Sequence, residues 1–145
     1  MAGAAVGMAQ GQTGALSEDA LRRLLTPPAG KAQVVIDSDT YNEIDDQYAV
    51  LYALLSPERM NVEAIYAAPY KNDRSNGPAD GMEKSYQEIL RLLKFLGHES
   101  KGLVFRGSDR FMEDAGKPIE SAAMRDLIEK AMKPRQGPLY VLTLG

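Results

Sequence analysis

Apolar positions fall into four short runs separated by three longer periodic segments. The runs are Val34 to Ile36, Val62 to Ala67, Leu103 to Phe105 and Leu139 to Leu144; rich in β-branched, aromatic and leucine side chains, they predict strands. Between them, segments of helical period begin near Asp45, Asp80 and Glu120. Strands and helices alternating at spacings of tens of residues predict an α/β chain with a mostly parallel sheet. The middle helix is the best specified: Met82, Tyr86, Ile89, Leu90, Leu93 and Leu96 share one face, Asp80 and Glu83 are spaced as a capping box, and Gly97 follows its end. The third carries Ile119, Ala123, Leu127, Ile128 and Ala131 and stops before Pro134 and Gly137.

Ahead of the first strand the pattern dissolves. The first 16 residues are rich in Gly, Ala and Gln and predict a disordered tail, after which Ser17 can cap a short helix to Leu25, ended by Pro27, Pro28 and Gly30. The expected division is a tail with a short helix over 1–30 and a partial α/β domain over 31–145. The last run, L-Y-V-L-T-L-G, ends the chain on a strand that a parallel sheet would need covered on both faces. The expectation is a piece of a longer protein, or a sheet that a partner completes.

Composition narrows the function classes. Seventeen basic and twenty acidic residues give a net charge of −3, and the basic residues are scattered, which argues against nucleic-acid binding. Without cysteine there is no disulfide framework, thiolate metal site or cysteine nucleophile, so a metal must be held by oxygen or by His98. No apolar stretch is long enough to span a membrane, and Met1 to Gly14 lacks the basic start and apolar run of a signal peptide. A cytoplasmic chain is expected, with a trimmed export signal (A-V-G-M-A-Q) as the alternative.

The chemistry concentrates in V-V-I-D-S-D-T-Y-N-E-I-D-D, where five acidic residues follow an apolar strand: Asp37, Asp39, Glu43, Asp45 and Asp46. Ligands in parallel α/β sheets gather at the carboxyl ends of strands. A helix N-terminus stabilises a nearby carboxylate by roughly 0.3–1 kcal/mol, which offsets one or two charges rather than five. A divalent cation is the natural compensator, and oxygen-only ligands point to calcium or magnesium. The plainer reading makes Asp39, Asp45 and Asp46 loop and helix-capping residues, with Glu43 solvated. An EF-hand is excluded, since a loop starting at Asp37 would need Gly where Asn42 stands and Glu where Tyr48 stands. A haloacid-dehalogenase-like phosphatase would use Asp37 as its nucleophile but leaves the Asp45-Asp46 pair unexplained.

Strand, D-x-D, short loop and D-D at a helix start resembles the N-terminal signature of the inosine-uridine-preferring nucleoside hydrolases. V-E-A-I-Y-A-A-P-Y resembles that family's second strand, and L-Y-V-L-T-L-G the strand leading into its G-P-L-T-N-like turn. The likeness covers about Val34 to Gly145 and implies a Rossmann-like sheet with flanking helices, as the N-terminal half of a nucleoside hydrolase fold. It also implies hydrolysis of the N-glycosidic bond of ribonucleosides, in purine and pyrimidine salvage, with calcium held among aspartates and bound by the ribose diol. Carried over by position, Asp39 is a calcium ligand and general base, Asp46 a second ligand, and Asp45 an acceptor for a ribose hydroxyl. Asp37 is grouped with the metal as a supporting carboxylate. The partner is a small nucleoside, and the full-length form is a homo-oligomer.

Two departures qualify the likeness. The advance from Asp39 to Asp45 is six residues, against four in the family, so T-Y-N-E-I is an enlarged loop that brings Asn42 and Glu43 toward the sugar. The family commonly ends its second strand with Gly-Asn, whereas this chain has Pro69-Tyr70 with Asn72 two residues on; Asn72 is a candidate sugar contact whose plain reading is a turn residue. His98 suits a helix end and is not expected to be catalytic. Family enzymes are roughly twice this length, and their second half supplies a further calcium-binding aspartate and sugar-binding residues. The polypeptide alone is therefore expected to be inactive, and a non-catalytic association module is the remaining alternative.

Overall fold

The computed structural model describes residues 16–145. The expected tail therefore lies almost wholly outside the described residues. The elements are α1 (Glu18–Leu25), β1 (Ala32–Ser38), α2 (Ile44–Leu54), β2 (Met60–Ala67), α3 (Pro78–Leu96), β3 (Val104–Arg106), α4 (Ala122–Met132) and β4 (Leu139–Leu144). Ser17 caps α1, its hydroxyl accepting from the Ala20 amide at 3.2 Å.

The sheet is four-stranded and wholly parallel, in the order β3-β2-β1-β4, with helices on both faces, as in a Rossmann-like fold. Alternation along β1 sends Ile36 to one face and Val35 to the other. On the first face Ile36 and Ile65 pack with Val50, Ala53 and Leu54 of α2 and Met82, Ile89, Leu92 and Leu93 of α3. On the second, Val35, Ala64 and Tyr66 meet Ala123 of α4, flanked by half-buried Phe105, Leu127 and Leu139. Consecutive strands step outward from β1 to β2 to β3, and then β4 returns to the other side of β1. The strand order thus reverses between β1 and β4, where open α/β sheets form a crevice beyond the carboxyl ends.

Two helix details differ from expectation. The start of α3 is not a capping box: Gly77 is the N-cap and Pro78 the first helical residue, while Asp80 accepts from the Asn76 amide and Lys84, and Glu83 pairs with Arg106 across to β3. A Cβ on Gly81 would stand 2.1 Å from the Tyr70 carbonyl oxygen, so only glycine lets α3 abut the loop after β2 this closely. In α4 the expected apolar stripe is largely exposed: Ala123 is buried, Leu127 half-buried, and Ile128 open to solvent. Gly97 ends α3 in the left-handed conformation, as its position predicts, and His98 behind it is exposed. No helix among the described residues is long and apolar enough to cross a membrane.

Candidate active site

The end of β1 and the two residues after it deliver Ser38, Asp39 and Thr40 into the β1/β4 crevice, and the first turn of α2 brings Asp46 back to them. All four are buried, Asp39 being 9% and Asp46 5% exposed. The Ser38 and Thr40 hydroxyls bond each other at 2.7 Å beneath the pair. One oxygen of each carboxylate, Asp39 Oδ1 and Asp46 Oδ2, is buried without a hydrogen-bond partner. Burial and the facing Asp39 carboxylate, with a smaller push from Asp45, raise the Asp46 pKa to about 7; the Ser38 hydroxyl opposes this. At neutral pH the pair shares its charge reluctantly.

The enlarged loop folds back onto this pair. Asn42 donates its amide to the Asp39 carbonyl (2.6 Å) and its side-chain nitrogen to Asp39 Oδ2 (2.9 Å). Asn72, in the loop after β2, donates to Asn42 Oδ1 and accepts from the Arg74 amide at 2.8 Å, and the Arg74 guanidinium donates to the Asn42 carbonyl. Asn42 and Asn72 thus meet each other and Asp39, forming a polar clamp that fixes the Asp39 side chain from outside.

Of the other predicted residues, Asp45 stands beside the pair and Glu43 and Asp37 face elsewhere. Asp45 and Glu43 are exposed, and Glu43, the N-cap of α2, makes no side-chain capping bond. Asp37 alternates to the opposite face from Ile36 and Ser38, where it helps line a cavity of about 440 Å³ with Tyr66, Ser108, Phe111 and Met124. Burial first and Asp39 second raise its pKa. Among the described residues no group of three or more His, Cys, Asp or Glu side chains stands where it could hold a metal ion together. The donors that do converge, two carboxylates with unpartnered oxygens, are of the type calcium or magnesium takes, and a calcium ion would need further oxygens to reach its six to eight.

Three neighbours had no sequence signal of their own. Gly145 closes β4 against the site: a Cβ there would lie 2.8 Å from Asp39 Oδ1, and its φ of +128° favours glycine. Tyr70 is buried with its hydroxyl unpartnered, and its pKa is raised mainly by burial. Arg74 is found only because two loops distant in sequence touch. Ser38 was legible, since it shares the Ile36 face by simple alternation.

No protein-family model, curated protein or solved structure was found to match the chain.

Proposed function

We propose that this chain carries one half of a site that hydrolyses the N-glycosidic bond of ribonucleosides. The observation that carries the reading is the Asp39–Asp46 pair, buried at the strand-order switch with one unpartnered oxygen on each carboxylate. Such a pair is costly unless positive charge or protons arrive, and it sits where α/β sheets bind ligands.

In this reading Asp39 and Asp46 hold a calcium ion, which positions and acidifies water when bound. Asp39 accepts the proton from the attacking water, helped by a side chain that Asn42 and Asn72 hold in one orientation. Asp45, exposed beside the pair, accepts a hydrogen bond from a ribose hydroxyl. The negative charge of the cluster stabilises the oxocarbenium-like centre as the base leaves. Glu43 is less favoured for sugar contact, because it points to solvent at the mouth of α2 and binds nothing in its own fold.

The test uses this chain and any longer natural form of it. The expected results are weak calcium binding by this chain with little turnover, and calcium-dependent release of base from inosine or uridine by the longer form. Asp39→Ala abolishes that release. Phosphate release from a phosphomonoester, requiring Asp37, would instead support the phosphatase chemistry and overturn the proposal.

A further inference from the structure

The helix that carries the aspartates is apolar on both sides. Its inner side, with Val50, Ala53 and Leu54, belongs to the core. Its outer side carries Ile44, Tyr48, Tyr52 and Leu55 at 66%, 66%, 70% and 64% exposure. Spacings of four, four and three residues align these side chains in one stripe along the helix. No charged residue occurs from Gln47 to Leu55. A helix that borders water normally turns charged and polar residues outward, as α3 does with Gln87, Arg91 and Lys94; one that is apolar all round is normally buried.

We propose that this stripe is the contact between two copies of the chain, packed about a two-fold axis with their α2 helices antiparallel. The inference does not depend on the hydrolase reading. The first argument is area. A buried tyrosine contributes about 150–250 Å², so the exposed parts of two tyrosines and two aliphatic side chains offer roughly 500 Å² per copy. Two copies bury about 1,000 Å², the lower bound for a specific protein interface, which makes the dimer weak and reversible.

The second argument is self-complementarity. A two-fold contact sets the same patch against itself, and a stripe without charge meets its own image without repulsion. The antiparallel arrangement sets Tyr48 near the partner's Tyr52 and keeps the two acidic helix ends, each with Asp45 and Asp46, about a helix length apart. Tyrosine also suits a surface that is sometimes wet and sometimes covered, because its ring packs while its hydroxyl stays hydrated. A membrane surface fits less well: helices that lie on bilayers are rich in Lys and Arg, and α2 has neither.

Sedimentation velocity on the whole chain, from about 1 μM to about 1 mM, is expected to show a monomer passing to a dimer with a Kd of roughly 10–1,000 μM. Tyr48→Lys with Tyr52→Lys raises that Kd at least about tenfold, with an unchanged circular dichroism spectrum. A second variant guards against misfolding of the first. The chain has no cysteine, so a mixture of Tyr48→Cys and Tyr52→Cys chains forms a disulfide-linked dimer on mild oxidation, whereas Lys133→Cys, in the exposed turn after α4, stays monomeric. A monomer at every concentration, a dimer indifferent to the lysines, or capture of the wild-type chain by lipid vesicles in place of dimerisation each overturns the proposal.

Discussion

The two faces of the sheet share the same strands yet are held by different forces. On the α2/α3 face the contact is apolar and dense, with Ile36, Val50, Ile65, Ile89 and Leu93 almost wholly excluded from water. On the α4 face the apolar core is small and the helix is tied down by polar groups. Tyr66 donates to Asp126 at 2.8 Å, Lys130 bridges the same carboxylate at 2.6 Å, and Arg135 pairs with Glu63 at 2.9 Å. Burial and the Asp126 carboxylate both push the Tyr66 phenol far above its ordinary pKa, which keeps it a donor to Asp126. The cavity beside Asp37 opens on this thinner side. The candidate catalytic pair sits over the dense side, which suits residues whose positions must be fixed, because packed cores resist small displacements.

The sharpest way to break this comparison is to delete equal volume from each face. Leu93→Ala, on the dense face, is expected to cost about 3 kcal/mol, since a fully packed site cannot collapse around the lost atoms. Leu127→Ala, half-buried on α4, is expected to cost only about 1 kcal/mol, because part of its surface already faces water. Urea unfolding midpoints measure both, with unchanged m-values. Equal costs would remove the distinction between the faces.

The same asymmetry explains how far the sequence could be read. All four strands and the three main helices lie where the apolar runs predict, because runs such as Val34 to Ile36 are buried on both faces and leave little choice of structure. The α3 stripe, Met82 to Leu96, was legible for the same reason. The α4 stripe misled: Ile128 and Ala131 have helical spacing, but the polar ties of Asp126 and Lys130 set the helix on the sheet and leave those positions exposed. In the site, the joining of Asp39 with Asp46 followed from a strand end feeding a helix start. The Asn42–Asn72–Arg74 clamp did not, since it joins loops about 30 residues apart and no local periodicity encodes such a contact. Asp37 illustrates the residual rule: alternation alone assigns it to the face away from Ser38, however close it is in sequence to Asp39.

A smaller effect is the dependence of stability on pH. Asp46 titrates near 7 in the fold against 3.8 for an ordinary aspartate, so the folded chain holds this proton more tightly than the unfolded one. Its stabilising contribution is complete below about pH 4 and is lost as the pH rises through 7. Asp80 and Glu83, whose pKa values are lowered by Lys84 and Arg106, act in the opposite sense, but their contribution is lost only as the pH falls below the ordinary carboxylate range. Asp37, raised by burial and by Asp39, acts in the same sense as Asp46. Without divalent cations, the stability of the chain is expected to fall between pH 5 and 8 by roughly 1–2 kcal/mol, and Asp46→Asn is expected to make the curve shallower. A flat wild-type profile would mean that the pair is better solvated than its burial indicates.

The smallest effect probes whether the clamp, rather than the core beneath it, holds Asp39. Asn72→Ala removes the bond to Asn42 and the acceptor for the Arg74 amide while leaving every buried side chain of the dense face in place. Because these groups are exposed, water replaces most of what is lost, and the cost in stability is expected to be about 0.5 kcal/mol. Local order is the better readout. With Asn72 gone, the Asn42 amide, which donates to the Asp39 carbonyl, is expected to exchange with solvent faster, while the Ile65 amide inside the sheet keeps its protection. If both amides exchange as before, the β1–α2 loop is held by the core alone and Asn72 is an ordinary turn residue. If only Asn42 loosens, the enlarged loop has its own fastening, and the orientation of Asp39 is set by two loops that close over the strand end.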